Sequence, residues 1–188
     1  MDNKILLRQR IRTGSFWVKQ LRDISLILVI LFVITSYLQR DMINGQAPNL
    51  SALTVSQQPF DLTTLASTST KPTLVYFWGT WCSACKITSP MVNSVASSND
   101  YQVISIAVAS GSDDDITQYM QLNQLSFEVI NEAQLPQAIN LPSLSQQWGA
   151  NVFPSIYIID ENQHIRFVTS GVTTAWGLKL RLWLTTFL

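Results

Sequence analysis

The sequence has few cysteines, little histidine and no net charge. Its 188 residues include two cysteines and one histidine, and 12 basic residues balance 12 acidic ones. Because the charges balance, the composition gives no reason to predict a nucleic-acid partner. Two cysteines are too few for a disulfide framework that replaces a hydrophobic core. A structural zinc site needs four ligands, which two cysteines do not supply.

A single uncharged run, residues 24–38, stands out near the N-terminus and contains neither Gly nor Pro. As a helix it spans about 22 Å, somewhat less than the roughly 30 Å hydrocarbon layer of a bilayer. Trp17 and Tyr37 suit the two membrane interfaces, and Arg22 and Arg40 can reach the headgroups. The run predicts a transmembrane helix.

A cleaved signal peptide is the alternative interpretation of this run. Cleavage requires small residues shortly after the apolar segment, and residues 37–41 read YLQRD instead. Ala47 is followed by Pro48, which disfavours cleavage there. We therefore predict an uncleaved anchor in the bacterial inner membrane. Because six basic residues precede the run, the N-terminus is predicted to be cytoplasmic and the remainder periplasmic: Lys4, Arg8, Arg10, Arg12, Lys19 and Arg22.

Four segments follow from this interpretation. Residues 1–23 form a cytoplasmic basic tail, 24–39 the transmembrane anchor, 40–58 a polar tether and 59–188 a single domain. In that domain, apolar runs and turn residues predict an α/β fold with a mixed β-sheet flanked by helices. The predicted strands are residues 60–65, 73–78, 102–109, 127–130, 155–159 and 164–168. One predicted helix covers residues 82–96, and a second begins after Ser112. A short helix includes Leu144 and Trp148, and a closing helix begins near Thr174. The last one carries an apolar stripe of Trp176, Leu180, Trp183, Leu184 and Phe187.

The two cysteines, Cys82 and Cys85, are three positions apart and follow a buried strand. This order places Cys82 at a helix N-terminus, where unpaired N–H groups and the helix dipole stabilise a thiolate. Cys85 lies one turn further along and within disulfide reach. The pattern predicts that Cys82 attacks a disulfide and that Cys85 resolves the mixed disulfide.

Two other interpretations of the pair remain open at this point. Both residues could be ordinary buried cysteines. Two thiolates could also hold copper(I), which needs few ligands. The one histidine, His164, is about eighty positions away beside a hairpin turn, where a surface role is more common than a ligand role.

Residues 77–86, FWGTWCSACK, resemble the active-site segment of thioredoxins. Pro90 matches the proline that kinks the first thioredoxin helix, and Val152-Phe153-Pro154-Ser155 is similar to the cis-proline loop of that family. The resemblance implies a thioredoxin-like fold in which this loop lies against the cysteine pair. It further implies that Trp81, Phe153 and Pro154 bind substrate, that no cofactor is needed, and that the proline keeps metals from the thiols.

The anchor and the Trp148-Gly149 approach to the loop resemble the TlpA-like, membrane-anchored branch. Residues 109–114 and the tail 171–183 are similar to the suppressor-for-copper-sensitivity D (ScsD) family. Two positions depart from these patterns. Tyr76 stands where thioredoxins carry a buried acid, and Thr88 where TlpA-like reductases often have Glu. Glu128 is the candidate replacement for the missing acid.

The resemblance implies a periplasmic thiol–disulfide oxidoreductase that acts on protein thiols and disulfides. Related anchored families mostly reduce their partners and draw electrons from a membrane thiol transporter, so net reduction is the expected direction. A copper(I)-handling thiol module linked to copper tolerance is the alternative function.

Overall fold

The computed structural model describes residues 14–98, 100–136 and 142–188. The chain divides into two compact units, Met1–Arg40 and Asp41–Leu188. The predicted basic tail falls largely on residues 1–13, which lie outside the described residues.

The first unit contains one long helix, α1, over Gly14–Gln39. Its segment Trp17–Gln39 has 23 residues and a mean hydropathy of 2.0, and it is long and apolar enough to cross a membrane. A signal sequence near an N-terminus meets the same criteria. The helix begins ten residues before the predicted start of the anchor, because residues 14–23 continue the helical backbone.

All of the predicted tether (residues 40–58) except Arg40 is folded into the second unit, which corrects the domain boundary. Strand β1 (Gly45–Gln46) pairs with a later strand, and β2 (Ser51–Leu53) pairs with β3 (Pro59–Asp61). Met42, Ala47 and Leu50 are buried. These apolar side chains are separated by polar ones, so the average composition of the segment conceals their contribution to the core.

The strand predicted over residues 60–65 is also wrong beyond Asp61, because helix α2 covers Leu62–Thr68. Asp61 caps this helix, and its carboxylate accepts a hydrogen bond from the Thr64 N–H at 2.8 Å. The pKa of Asp61 is lowered to about 2, mainly by a hydrogen bond from the Thr63 hydroxyl and next by the bond from the Thr64 N–H. The carboxylate therefore favours helix over strand after residue 61.

The central sheet has six strands in the order β1-β8-β7-β4-β5-β6. Its members after β1 are β4 (Thr73–Trp78), β5 (Gln102–Ala107), β6 (Glu128–Asn131), β7 (Ser155–Ile159) and β8 (His164–Ser170). Strands β4, β5 and β6 are parallel, whereas β7 and β8 are antiparallel to their neighbours. The predicted mixed sheet is confirmed, with β4 buried at every position.

Helices cover both faces of the sheet. They are α3 (Ser83–Ala96), α4 (Asp113–Leu122), α5 (Leu144–Gln147) and α6 (Ala175–Thr185), with a 3-10 turn at Glu132–Gln134. One hydrophobic cluster contains side chains of α3, α4 and α6. A second cluster contains Trp148 together with Met42, Ala47 and Leu50 from the start of the second unit. Because side chains alternate along β4, Tyr76 and Trp78 belong to the first cluster and Phe77 to the second.

The apolar stripe predicted for the last helix is present, but its side chains are exposed and are not part of the hydrophobic core. Trp176 is 74% exposed and Trp183 is 52% exposed, while Leu178, Leu182 and Thr185 supply the buried face of α6. The helix is apolar on two sides, and a periodicity argument cannot tell which side the sheet covers.

Candidate active site

Cys82 and Cys85 form a disulfide at the N-terminus of α3, with Cα atoms 5.2 Å apart. Strand β4 ends at Trp78, and the turn that follows closes with a hydrogen bond from the Cys82 N–H to the Gly79 carbonyl at 3.1 Å. Cys82 is the N-cap residue, and its sulfur accepts a hydrogen bond from the Cys85 N–H at 3.1 Å. A negative charge on Cys82 Sγ would therefore be stabilised by this N–H and by the positive end of the α3 dipole.

The two cysteines differ in their access to solvent. Cys82 keeps 6% of its surface exposed, whereas Cys85 keeps none. An incoming sulfur can therefore approach Cys82 but not Cys85. The order of residues in the motif predicts this difference, but only the packing around α3 determines its size.

The loop before β7 lies at the same end of the sheet as the disulfide. Its Phe153–Pro154 peptide bond is cis. Phe153 packs against the cluster that contains both cysteines, and its ring meets the Trp81 ring edge-on with centroids 5.6 Å apart. Trp81 is 56% exposed, so this aromatic pair forms a surface beside Cys82.

A loop after β5 supports the active-site turn, and the sequence alone did not reveal this role. The Trp81 indole N–H donates to the Val108 carbonyl at 3.0 Å, and the Thr80 N–H donates to the Ser110 hydroxyl at 3.1 Å. Ser110 itself donates to the Val108 carbonyl at 3.0 Å. Asn131 holds the same loop through the Gly111 carbonyl at 3.1 Å. The burial of Ser110, which would indicate this role, is visible only in the folded chain.

We expect Ser110→Ala to slow disulfide exchange by up to about fivefold, the equivalent of one hydrogen bond of about 1 kcal/mol. The Thr80 N–H would lose its acceptor and the turn that presents Cys82 would loosen. The rate of exchange with a model disulfide measures the effect. Ser97→Ala removes an exposed hydroxyl at the other end of α3 and is the matched control. Equal rates in both variants would contradict a role for Ser110 in positioning the turn.

A polar pair links β4 to the helix that begins at the cysteine pair. The Tyr76 hydroxyl and the Ser89 hydroxyl are 3.0 Å apart, and Ser89 follows Cys85 by one helical turn. Burial raises the pKa of Tyr76, so this phenol stays neutral. Glu128, the sequence-based candidate for the missing acid, is exposed on β6 and accepts a hydrogen bond from Ser56 at 2.7 Å. Its carboxylate is therefore turned toward solvent and Ser56 rather than into the core.

Within the ranges that the structure describes, metal-binding side chains do not gather around the cysteine pair. Among the residues that the structure describes, no group of three or more His, Cys, Asp or Glu side chains could hold an ion. His164 is exposed at the start of β8, opposite Gln46 of β1. The two thiols would have to bind copper(I) without a third ligand of these types from the described part of the chain.

Known proteins are similar to this chain in sequence and in fold. Residues 43–168 match the AhpC/TSA family. A thioredoxin-like protein of Haemophilus influenzae is 34% identical over 165 residues, which cover 88% of this chain and 92% of that protein. The thiol:disulfide interchange protein DsbE of Xylella fastidiosa is 26% identical over 155 residues, covering 77% and 74%.

A solved structure, StoA from Bacillus subtilis, superimposes with a TM-score of 0.58 at 16% identity, covering 71% of this chain and 96% of that one. Together with the family match and the thioredoxin-like relative, this likeness establishes the thioredoxin-like fold. The fold, the cysteine pair that caps a helix and the relatives together make the chain a thiol–disulfide oxidoreductase. Because residues 43–168 match the family over most of the sequence, the chain belongs to the AhpC/TSA family of thioredoxin-like proteins.

Proposed function

We propose that this chain is a membrane-anchored thiol–disulfide oxidoreductase of the bacterial periplasm that reduces disulfides in exported proteins. The observation that carries the proposal is the disulfide at the α3 N-terminus, with one sulfur partly accessible and the other enclosed. Such an arrangement supports a nucleophile at Cys82 and a resolving thiol at Cys85.

Two exchange steps account for net reduction. The Cys82 thiolate attacks one sulfur of a client disulfide, forms a mixed disulfide and releases the first client thiolate. The Cys85 thiolate then attacks Cys82 Sγ, which breaks the mixed disulfide and releases the second client thiolate. Both client thiolates take up protons. Two electrons have passed from the cysteine pair to the client, and the pair is left as the Cys82–Cys85 disulfide.

The client is held beside Cys82 by Trp81, Phe153 and Pro154. The edge-on contact of the Trp81 and Phe153 rings offers an apolar surface to an extended segment. The Pro154 carbonyl accepts a hydrogen bond from the Gly171 N–H at 2.8 Å, which supports the loop from the side of β8.

The membrane part of the proposal is supported by α1 and the charges around it. Six basic residues precede the apolar run, so the N-terminus is assigned to the cytoplasm and the catalytic domain to the periplasm. A membrane thiol transporter is the proposed electron donor. The tail sequence at residues 171–183 supports assignment to the ScsD branch.

Copper(I) handling is the weaker candidate, because the described residues offer no ligand cluster beyond the two thiols. It makes a different prediction for the reduced domain. Tight stoichiometric copper binding without exchange activity would reverse the ranking of the two functions.

The reduction potential of residues 41–188, measured against glutathione without added metal, tests the direction of electron flow. We expect a reduction potential of about −270 mV, as in thioredoxin, because the chain is proposed to reduce its clients. A reduction potential of about −120 mV would mean that the chain oxidises its clients instead.

Topology is tested by fusing a reporter that is active only outside the cytoplasm after Leu188. The full-length fusion is expected to be active and to stay with the membrane fraction after alkaline washing. Recovery of a shortened, soluble chain that begins near residue 40 would replace the anchor with a cleaved signal peptide.

A further inference from the structure

Helix α6 carries an exposed apolar stripe that no other part of the described chain covers. At about 100° per residue, its members fall within a sector about 100° wide. They are Trp176, Leu180, Trp183, Leu184 and Phe187, with Phe187 just beyond the last helical residue. The opposite side of the helix, with Leu178 and Leu182, is buried in the domain.

Charge along this helix is of one sign and borders the stripe. Lys179 and Arg181 lie on opposite sides of it, each about 85–115° from its centre on a helical projection. Residues 171–188 contain no acidic side chain. An apolar face with tryptophans and with basic side chains at its borders is typical of a helix that lies in a membrane interface. The long basic side chains can reach anionic headgroups while their stems stay apolar.

The same charges disfavour a second copy of the chain as the occupant. In a symmetric dimer through this stripe, Lys179 and Arg181 of both copies would line the rim with no acidic partner on the helix. Like charges that face one another across an interface oppose association. Anionic lipid headgroups supply the missing negative charge.

Chain length also keeps the domain near the bilayer. Helix α1 ends at Gln39, and Met42 is already buried in the domain. Three residues reach at most about 11 Å when fully extended. If α1 spans the bilayer, the domain cannot diffuse away from its surface, and binding through α6 costs little additional translational freedom.

We propose that the Trp176–Phe187 stripe of α6 inserts into the periplasmic surface of the bilayer. This inference rests on the membrane-anchored function proposed above. Helix α6 packs against α3, and the loop that leads into it bonds to Pro154. Docking through α6 therefore fixes the orientation of the active site relative to the membrane, in which the proposed electron donor lies.

Spin labels on the full-length chain test this proposal. A Cys82→Ser/Cys85→Ser background receives one new cysteine at a time: Trp183→Cys on the stripe, Val29→Cys in α1, or Glu161→Cys at the exposed β7–β8 turn. The labelled chains are placed in vesicles of phosphatidylcholine and phosphatidylglycerol. Collision with oxygen, compared with collision with a water-soluble nickel chelate, reports the surroundings of each label.

We expect the labels at positions 29 and 183 to favour oxygen severalfold over the label at position 161. A label at position 183 that behaves like the one at 161, while position 29 lies in lipid, overturns the α6 proposal and leaves the anchor intact. A water-exposed label at position 29 overturns the anchor as well. Spin–spin broadening at position 183 in dilute vesicles would identify a second copy as the occupant and overturn the lipid assignment.

A second measurement leaves the cysteine pair intact. Tryptophan fluorescence of the full-length chain in the same vesicles is quenched by brominated lipid, and Trp183→Phe is expected to remove a share of the quenchable signal. Trp81→Phe changes an exposed tryptophan outside α6 and is the control. Equal quenching in the unchanged chain and in Trp183→Phe would place the stripe in water.

Discussion

Cells that produce the Cys85→Ala variant should accumulate covalent adducts between this chain and its clients. Cys82 can still attack a client disulfide, but no second thiol remains to release the product, so the mixed disulfide persists. The adducts are detected as slow-migrating bands on a non-reducing gel of membrane extracts, and they disappear after reduction. Because exchange in this variant stops at the mixed disulfide, before one turnover is complete, catalytic activity should fall to background.

Cys82→Ala is the matched control, since it leaves one thiol in the same motif. Cys85 is completely buried, and a partner sulfur cannot reach it without local unfolding of α3. We therefore expect no adducts and no activity. Adducts in Cys82→Ala but not in Cys85→Ala would reverse the assignment of attacking and resolving thiols.

Gly149→Ala should strongly destabilise the second unit, by about 3 kcal/mol or more. Gly149 has a φ of +65°, and an added β-carbon would overlap with the carbonyl oxygen of Asp41 and lie 2.6 Å from its carbonyl carbon. The obstacle is backbone, which cannot move aside as a flexible side chain would. The segment around Asp41 would have to separate from the Trp148 region, where the Ile43 N–H donates to the Trp148 carbonyl at 3.3 Å.

Gly171→Ala separates backbone conformation from overlap. Gly171 also has a positive φ, of +82°, but nothing lies within 4 Å of an added β-carbon. Its substitution should cost only about 1–2 kcal/mol. Urea unfolding of both variants, followed by circular dichroism, measures the difference. Equal destabilisation would mean that residues 41–43 do not pack against Gly149 as described.

Where sequence prediction succeeded, the signal was local. The apolar run of β4 predicts a central strand, and Ser112 before three aspartates predicts the start of α4; both are confirmed. Where it failed, local signals conflicted or were diluted. Asp61 lies inside a stretch of aromatic, aliphatic and β-branched residues that reads as a strand, yet its carboxylate caps a helix. Met42, Ala47 and Leu50 are spread among polar residues, which made a folded segment resemble a tether.

Contacts between distant residues required the tertiary structure. Trp81 and Phe153 approach each other only because β4 and β7 are neighbouring antiparallel strands that bring their ends together. Ser110 supports Thr80 because parallel β4 and β5 end at the same edge of the sheet. Neither partner is identifiable from a sequence window, because each contact depends on strand order.

The sequence by itself determined the chemistry: two cysteines one turn apart after a buried strand, at a helix terminus that favours a thiolate. Spacing and capping act over a few residues, so no long-range information was needed. Only the tertiary structure decided how completely Cys85 is enclosed, that residues 41–58 belong to the domain, and that the aromatic stripe of α6 faces outward. These outcomes depend on which surfaces cover one another, and burial is a property of the whole fold.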